Sequence, residues 1–268
     1  MEGGKDLLAL SDSRWERAPY ETVAAIYDEL MGHFFQARQK PLLESSLEEF
    51  GLTGGAWADV ACGTGTLACH LAEQGWRVHG SDVSESMLAV AREKAARHAG
   101  DVTFHRQDMR RLSTPAPCDA VSCFFDSINI LTRKSDVVQA FRAAARALKP
   151  GGYYFLDAVT PWHTSHLWDC CDQTHEGEGF FGAWEIRSLS PSHVLTVTMH
   201  WFLRQGNGLF SRADETHRIR GYTRRDVKEA LKAAGLRLVT AYDGDEGFLA
   251  PPHRHSMRID YVARKPLE

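Results

Sequence analysis

The stretch that decides the fold is DVACGTGT, at residues 59–66. With the preceding AWA it predicts a short strand, and residues 67–74 predict a helix that stops at Gly75. Gly63 and Gly65 allow the backbone to approach a ligand closely, and the start of a helix offers free amide groups. The stretch therefore predicts a strand, a glycine loop that binds a ligand, and a helix.

Strands and helices alternate after this loop. A mostly parallel sheet built from βαβ units is typical of that alternation. The last two predicted strands form an antiparallel pair instead. The predicted strands are residues 77–82, 102–105, 120–125, 153–159, 236–242 and 257–262, and the predicted helices are residues 84–98, 137–148 and 223–235.

Two segments lie outside this pattern. Residues 1–18 are polar and predicted to fray, and apolar residues at helical spacing then predict two helices, interrupted near Gly32 and Pro41. After the fifth strand of the core, period-two alternation predicts an antiparallel β insertion. We therefore expect a helical lid at 1–50, a core at 51–160 and 222–268, and a β insertion that forms a substrate cap at 161–221.

The composition excludes several classes of protein. The 268 residues include 31 Lys and Arg against 35 Asp and Glu, and a net charge of −4 argues against a nucleic-acid partner. The 43% hydrophobic residues suffice for a sizeable core. No run approaches the ~18 uncharged apolar residues of a membrane span, and the N-terminus lacks the apolar region of a signal peptide. With six scattered cysteines, we expect a cytoplasmic protein with reduced thiols and no membrane partner.

The glycine loop alone leaves its ligand open. Asp82 ends the second predicted strand, where a carboxylate can accept both ribose hydroxyls of an adenosine cofactor. Gly63, Gly65 and Ala68 also fit the relaxed dinucleotide fingerprint. These residues are therefore compatible with a nicotinamide-dependent oxidoreductase, an enzyme with another nucleoside cofactor, or a non-catalytic module that binds such a cofactor.

Further motifs favour one family. Asp108 and Met109 follow the third strand, the turn LKPGG at residues 148–152 precedes the fifth, and GSDVS occupies residues 80–84. Together with the glycine loop, these elements resemble class I S-adenosylmethionine-dependent methyltransferases over about residues 40–160 and 222–264. The resemblance implies a Rossmann-like, doubly wound α/β fold with an antiparallel last strand. It also implies S-adenosylmethionine as the cofactor and S-adenosylhomocysteine as the product.

The resemblance also implies which residues hold the cofactor. Ala61, Gly63 and Gly65 would line its methionine part, although many members have glycine at position 61. Asp82 would hold the ribose, Asp108 and Met109 the adenine, and Tyr27 would lie in a helix that covers the site. The expected cofactor site is Tyr27, Asp59, Ala61, Gly63, Gly65, Asp82, Met87, Asp108, Met109 and Phe125.

The methyl acceptor is less clearly encoded. An in-line displacement needs alignment and exclusion of water; an amine needs only its neutral form, whereas a hydroxyl usually needs a base. FDSINIL at residues 125–131 and DETH at residues 214–217 are similar to small-molecule methyltransferases, of which the amino-sugar N-methyltransferases are the nearest branch. We therefore expect a small-molecule acceptor methylated at nitrogen or oxygen. No metal site is expected, and a homodimer is compatible with this reading.

Seven residues are candidates for the acceptor side. Asp126 and Asn129 follow the fourth strand, Trp162 and His163 follow the fifth, and Glu215 and His217 share one face of a strand. Structural readings stay open beside these: a helix cap, a cross-strand polar pair, and a solvated face for the basic stretch around Arg220. The expected catalytic residues are Asp126, His163, Glu215 and His217, and the expected substrate residues are Asn129, Trp162 and Arg220.

Overall fold

The computed structural model describes residues 15–97, 100–166, 173–189, 193–245 and 250–267. Within these ranges the strands are β1 (Glu16–Arg17), β2 (Ala56–Val60), β3 (Arg77–Asp82), β4 (Val102–Arg106), β5 (Cys118–Cys123), β6 (Leu148–Val159), β7 (Gln173–Gly177), β8 (Phe180–Leu189), β9 (Val194–Arg204), β10 (Phe210–Arg220), β11 (Arg237–Asp243) and β12 (Arg258–Arg264). The α-helices are α1 (Tyr27–Phe34), α2 (Lys40–Glu49), α3 (Thr66–Glu73), α4 (Glu85–Ala95), α5 (Lys134–Ala147), α6 (Pro161–His166) and α7 (Arg224–Ala233).

A seven-stranded sheet forms the centre of the described structure, in the order β11-β12-β6-β5-β2-β3-β4. Its pairs from β6 to β4 are parallel, whereas β12 runs antiparallel to both of its neighbours. The strand order reverses at β2, which pairs with β3 on one side and β5 on the other. The predicted fold class is confirmed, and this reversal leaves a crevice at the carboxyl ends of the strands.

Helices cover both faces of the sheet. On one face, α5 and α7 bury Phe141 and Leu231; on the other, α3 and α4 bury Leu71 and Leu88. At the centre, Trp57 is fully buried and stacks on a phenylalanine of β6, with ring centroids 5.5 Å apart. These two apolar layers hold the carboxyl ends of the strands in fixed positions.

The β insertion forms a second sheet, in the order β1-β10-β9-β8-β7. Strands β7 to β10 make the antiparallel meander that the alternation predicts. The prediction of a frayed segment is wrong for residues 16–17, because β1 pairs in parallel with β10. The exposed polar side chains of these two residues do not indicate a strand. An edge strand, however, needs only its backbone groups in order to pair, and here Asp214 N donates to Trp15 O at 2.8 Å.

The N-terminal helices are more continuous than predicted. A 3-10 turn (Val23–Ile26), α1, a π turn (Phe35–Gln39) and α2 follow one another without a break. Gly32 lies inside α1, and Pro41 lies in the first turn of α2. A proline lacks the N–H of a helical bond and crowds the preceding turn, so we attribute the widened π turn to Pro41.

The remaining compositional predictions concern thiols and membranes. Cys62, Cys69, Cys118 and Cys123 are free thiols, and residues 170–171 lie outside the described ranges. Among the helices described here, none has both the length and the apolar character needed to cross a membrane.

Candidate active site

A cavity of about 270 Å³ lies at the carboxyl edge of the central sheet, beneath the N-terminal helices. Loops after β2, β3, β4 and β5 form its floor and sides, and the segment from Tyr20 to Gln39 covers it. The described lining residues are Tyr20, Tyr27, Asp28, Met31, Gly32, Phe35, Gln39, Asp59, Ala61, Cys62, Gly63, Thr64, Thr66, Leu67, Asp82, Val83, Met87, Gln107, Asp108, Met109, Arg110, Phe124, Phe125, Ser127, Ile130 and Leu131.

All the predicted cofactor residues except Gly65 line this cavity. Gly65 caps α3 with a φ of +74°. A Cβ atom there would lie 2.7 Å from the Phe104 ring and 2.9 Å from Ala91 Cβ. The glycine at this position is therefore required by backbone conformation and by the packing of α3 against β4.

The Asp82 carboxylate is fixed by the backbone around it. Gly63 N donates to Oδ2 at 3.0 Å, and Ser84 N donates to Oδ1 at 2.8 Å. Burial raises the pKa of Asp82, and these backbone bonds oppose the rise. Because a carboxylate has about four acceptor positions, Asp82 can still accept bonds from two ribose hydroxyls.

The Asp59 carboxylate is held from one side only. Trp57 Nε1 donates to Ser122 Oγ at 2.8 Å, and that hydroxyl donates to Asp59 Oδ1 at 2.7 Å. Asp59 Oδ2 is buried and has no hydrogen-bond partner among the described residues. A buried carboxylate oxygen of this kind at a cavity wall fits a cationic group of a ligand.

Asp59 also predicts a pH dependence of stability. Burial raises its pKa to about 7, so between about pH 4 and 7 the folded protein keeps a proton that the unfolded chain releases. The stability from this group is therefore lost as the pH rises through that window. Between pH 5 and pH 8 we expect the free energy of unfolding of the wild type, measured in urea, to fall by roughly 2–4 kcal/mol more than that of Asp59→Asn. Parallel profiles for the two proteins would contradict this assignment.

Asp108 is oriented by an arginine that the sequence analysis did not single out. Arg110 donates to it from Nε at 3.0 Å and from its backbone N at 2.9 Å. The side-chain bonds from Arg110 hold the pKa of Asp108 below its usual value. The carboxylate at the end of β4 is therefore ionised and fixed where the adenine is expected.

Helix α1 is attached directly to the glycine loop. Thr64 Oγ1 donates to Asp28 Oδ1 at 2.6 Å, and Lys94 Nζ of α4 lies 2.7 Å from Asp28 Oδ2. Lys94 also donates to Thr66 at 2.6 Å. This network, which the sequence analysis missed, holds the covering helix over the loop.

Glu215 and His217 lie together beneath the N-terminal segment. Glu215 is fully buried and accepts bonds from the backbone N of Tyr20, Thr22 and Val23 at 2.8, 2.6 and 3.2 Å. His217 Nε2 lies 3.2 Å from its Oε2. Burial raises the pKa of Glu215, but the bonds from His217 and the backbone lower it below its ordinary value. The pair lies outside the cavity lining but fixes Tyr20, which belongs to it.

Asp126 and His163 lie at the ends of β5 and β6. Arg258 Nη1 donates to Asp126 Oδ1 at 2.8 Å and to Asp157 Oδ2 at 2.6 Å. Phe125 and Asp126 both have positive φ angles, of 57° and 50°. Burial, followed by the charge of Arg258, lowers the pKa of His163 to about 4. The catalytic roles of Asp126 and His163 stay predictions.

The three predicted substrate residues have partners within the protein. Asn129 donates to the carbonyls of Val159 and Arg220 at 2.9 and 2.6 Å. Arg220 donates from Nη1 to a carbonyl of the loop after β5 at 2.8 Å. Trp162 lies in α6 and stacks on a histidine ring with centroids 3.6 Å apart. They border the same edge of the sheet, and their contact with a substrate stays a prediction.

Comparison with known proteins agrees with this geometry. The family described as "Methyltransferase domain" matches residues 58–152. YqeM of Bacillus subtilis (strain 168), whose name assigns it provisionally to the methyltransferases, is 33% identical over 249 residues, which are 92% of this chain and 97% of YqeM. The dTDP-3-amino-3,6-dideoxy-alpha-D-glucopyranose N,N-dimethyltransferase of Streptomyces fradiae is 29% identical over 195 residues, 70% of this chain and 72% of that protein.

A solved structure shows the same fold. The S-adenosylmethionine-dependent methyltransferase from Clostridium acetobutylicum ATCC 824 superimposes with a TM-score of 0.80 at 24% identity, covering 92% of this chain and 99% of that one. The readings as an oxidoreductase or a non-catalytic module find no support in these relatives. The open oxygen of Asp59 and the fixed carboxylates of Asp82 and Asp108 fit an adenosyl amino acid. The chain therefore belongs to the class I S-adenosylmethionine-dependent methyltransferases, and S-adenosylmethionine is its cofactor.

Proposed function

We propose that this enzyme methylates a nitrogen atom of a small-molecule amine. The observation that supports nitrogen is at the expected acceptor edge, where burial, followed by the charge of Arg258, lowers the pKa of His163 to about 4 and leaves it a weak base near neutral pH. The phenols of Tyr20 and Tyr27 have pKa values well above the ordinary value, primarily because they are buried. Since a hydroxyl acceptor usually needs a base that works near neutral pH, an amine fits His163 and these two phenols better.

The charge around the two tyrosines supports the same acceptor. After burial, the carboxylates of Asp126 and Asp82 contribute to the raised pKa of both phenols. At Tyr27 the charge of Arg258 acts in the opposite sense. The carboxylates near the two phenols would favour an amine in its protonated form over an anionic group at the same place.

The chain's own contribution to the reaction is alignment and exclusion of water. When bound, the cofactor would supply an electrophilic methyl group: the neutral amine would attack the methyl carbon in line, the carbon–sulfur bond would break to leave S-adenosylhomocysteine, and the methylated nitrogen would lose its extra proton to solvent. Asp82, Asp108 and Asp59 would hold the cofactor at its ribose, adenine and amino-acid parts. Tyr20 and Tyr27 cover the cavity and keep solvent from that end.

We propose that the N-terminal lid (1–50) and the β insertion (161–221) together enclose the acceptor. The pairing of β1 with β10 and the bonds to Glu215 join the two segments on one side of the cavity. The acceptor would then lie beside the edge that carries Asp126, Asn129, Trp162, His163 and Arg220. The named activity of the Streptomyces fradiae relative, on an amino-sugar nucleotide, supports an amine as the acceptor.

Pairs of acceptors that differ only in the reacting atom test this proposal. We expect S-adenosylhomocysteine to form with an amine, such as a 3-amino-sugar nucleotide, and not with its 3-hydroxy counterpart. The rate kcat/KM should rise with pH up to the pKa of the amine, because only the neutral form reacts. Faster methylation of the hydroxyl partner, abolished by His163→Asn, would instead establish O-methylation with His163 as the base.

A further inference from the structure

Gln39 presents a buried polar side chain to the cofactor cavity. It is 2% exposed and lines the cavity. Neither Nε2 nor Oε1 has a hydrogen-bond partner among the described residues. Buried amides in folded proteins are nearly always hydrogen-bonded, because an unsatisfied group destabilises the fold. The side chain therefore requires a partner that the described chain does not supply.

The local backbone explains why Gln39 faces inward. It is the last residue of the π turn that precedes Pro41, and Lys40 N donates to Phe35 O across that turn. Phe35 and Gln39 are both buried, whereas Gln36 between them is exposed. π turns within helices are frequent at functional sites. Here the turn presents one amide to the cavity.

A second polar group in the same cavity is equally unsatisfied. Asp59, near the end of β2, lines the same cavity, with Oδ1 held by Ser122 and Oδ2 without a partner among the described residues. Asp82 and Asp108 account for the adenosine part of the cofactor. What remains is an α-amino acid, which carries an ammonium group that donates and a carboxylate that accepts. A carboxylate oxygen and an amide match those two groups.

We propose that Gln39 is a cofactor-specificity residue that binds the amino-acid end of S-adenosylmethionine. Its Nε2 donates to the cofactor's carboxylate, while Asp59 Oδ2 accepts from the ammonium group. The enzyme thereby distinguishes the cofactor and its product from nucleosides that lack the amino acid. This role concerns cofactor recognition and is independent of the identity of the methyl acceptor.

Gln39→Leu tests this role by calorimetric titration with two ligands. S-adenosylhomocysteine carries the amino-acid end, and 5′-methylthioadenosine lacks it. We expect the Kd for S-adenosylhomocysteine to rise about tenfold or more, as for the loss of a hydrogen bond to a charged group. The Kd for 5′-methylthioadenosine should stay within about twofold. The ligand-free variant should also melt at a higher temperature than wild type, because it no longer buries an unsatisfied amide.

The combination of weaker binding and higher stability separates recognition from misfolding. Gln36→Leu, in the same π turn but exposed, is the matched control and should leave both affinities unchanged. Equal losses of affinity for both ligands in Gln39→Leu would show that the substitution disturbs the lid as a whole. Unchanged affinity for S-adenosylhomocysteine would remove Gln39 from the site. Either result would overturn the proposal.

Discussion

Asp82→Ala should weaken the binding of S-adenosylhomocysteine at least about tenfold, because the substitution removes the carboxylate expected to hold the ribose. The carboxylate holds Gly63 N at 3.0 Å and Ser84 N at 2.8 Å, so it fixes the loop as well as offering oxygens to the ribose. Calorimetric titration measures the loss. In contrast to Gln39→Leu, the affinity for 5′-methylthioadenosine should fall in parallel, because both ligands carry the ribose.

Two further variants separate the roles of Asp82. Asp82→Asn keeps an acceptor oxygen for the backbone, so its melting temperature should exceed that of Asp82→Ala while its affinity stays below wild type. Asp101→Ala removes an exposed aspartate between β3 and β4 and should bind as wild type does. Affinity equal to wild type in Asp82→Ala would place the ribose elsewhere.

Glu215→Ala should release the N-terminal segment from the insertion sheet and cause the largest loss of stability among these variants. The backbone N–H groups of Tyr20, Thr22 and Val23 lose their acceptor, and His217 loses its partner. Removing one side of such a buried charged network costs about 3–5 kcal/mol. Urea unfolding should show that loss, and the amides of residues 20–23 should exchange their hydrogens much faster.

A companion variant distinguishes this anchoring role from the predicted catalytic one. Glu215→Gln keeps the shape and one acceptor oxygen, so it should retain a larger part of the stability and of the methyl-transfer activity than Glu215→Ala. Activity lost in Glu215→Gln with stability and exchange unchanged would instead support Glu215 as a catalytic carboxylate. The matched control is Glu185→Ala, a partly exposed glutamate on β8 that pairs with Arg187 of the same strand, and which should change stability by less than about 0.5 kcal/mol.

The central sheet and the cofactor loop could be predicted because their signals are local. The glycines directly after one strand and Asp82 at the end of the next strand form a ligand site whose geometry depends on a few adjacent residues. In the structure, Ser84 and Thr223 cap the helices α4 and α7 through side-chain bonds within one turn, which are local contacts of the same kind. Short-range rules of this kind therefore predict the order of strands and helices along the chain, whereas the doubly wound fold is what the family resemblance implies.

The covering segment could not be predicted in the same way. Tyr20 takes its position from Glu215, 195 residues later, and Asp28 takes its position from Thr64, 36 residues later. Gln39 looked like an ordinary polar helical residue, because nothing in its neighbourhood shows that a π turn faces it inward. The available signal is Pro41, because the helical pattern continues beyond it. The pattern is interpreted as two helices with a break at this proline.

The hydrogen bond from the backbone N of Tyr20 to Glu215 has a consequence for folding during synthesis. The two residues are separated by 195 positions, so this contact can form only after most of the chain has been synthesised. Closing a loop of that length is entropically unfavourable and is compensated only by contacts made late in synthesis. A chain truncated before residue 215 would keep the contact between α1 and the glycine loop, but it would lack the carboxylate that fixes Tyr20 over the cavity.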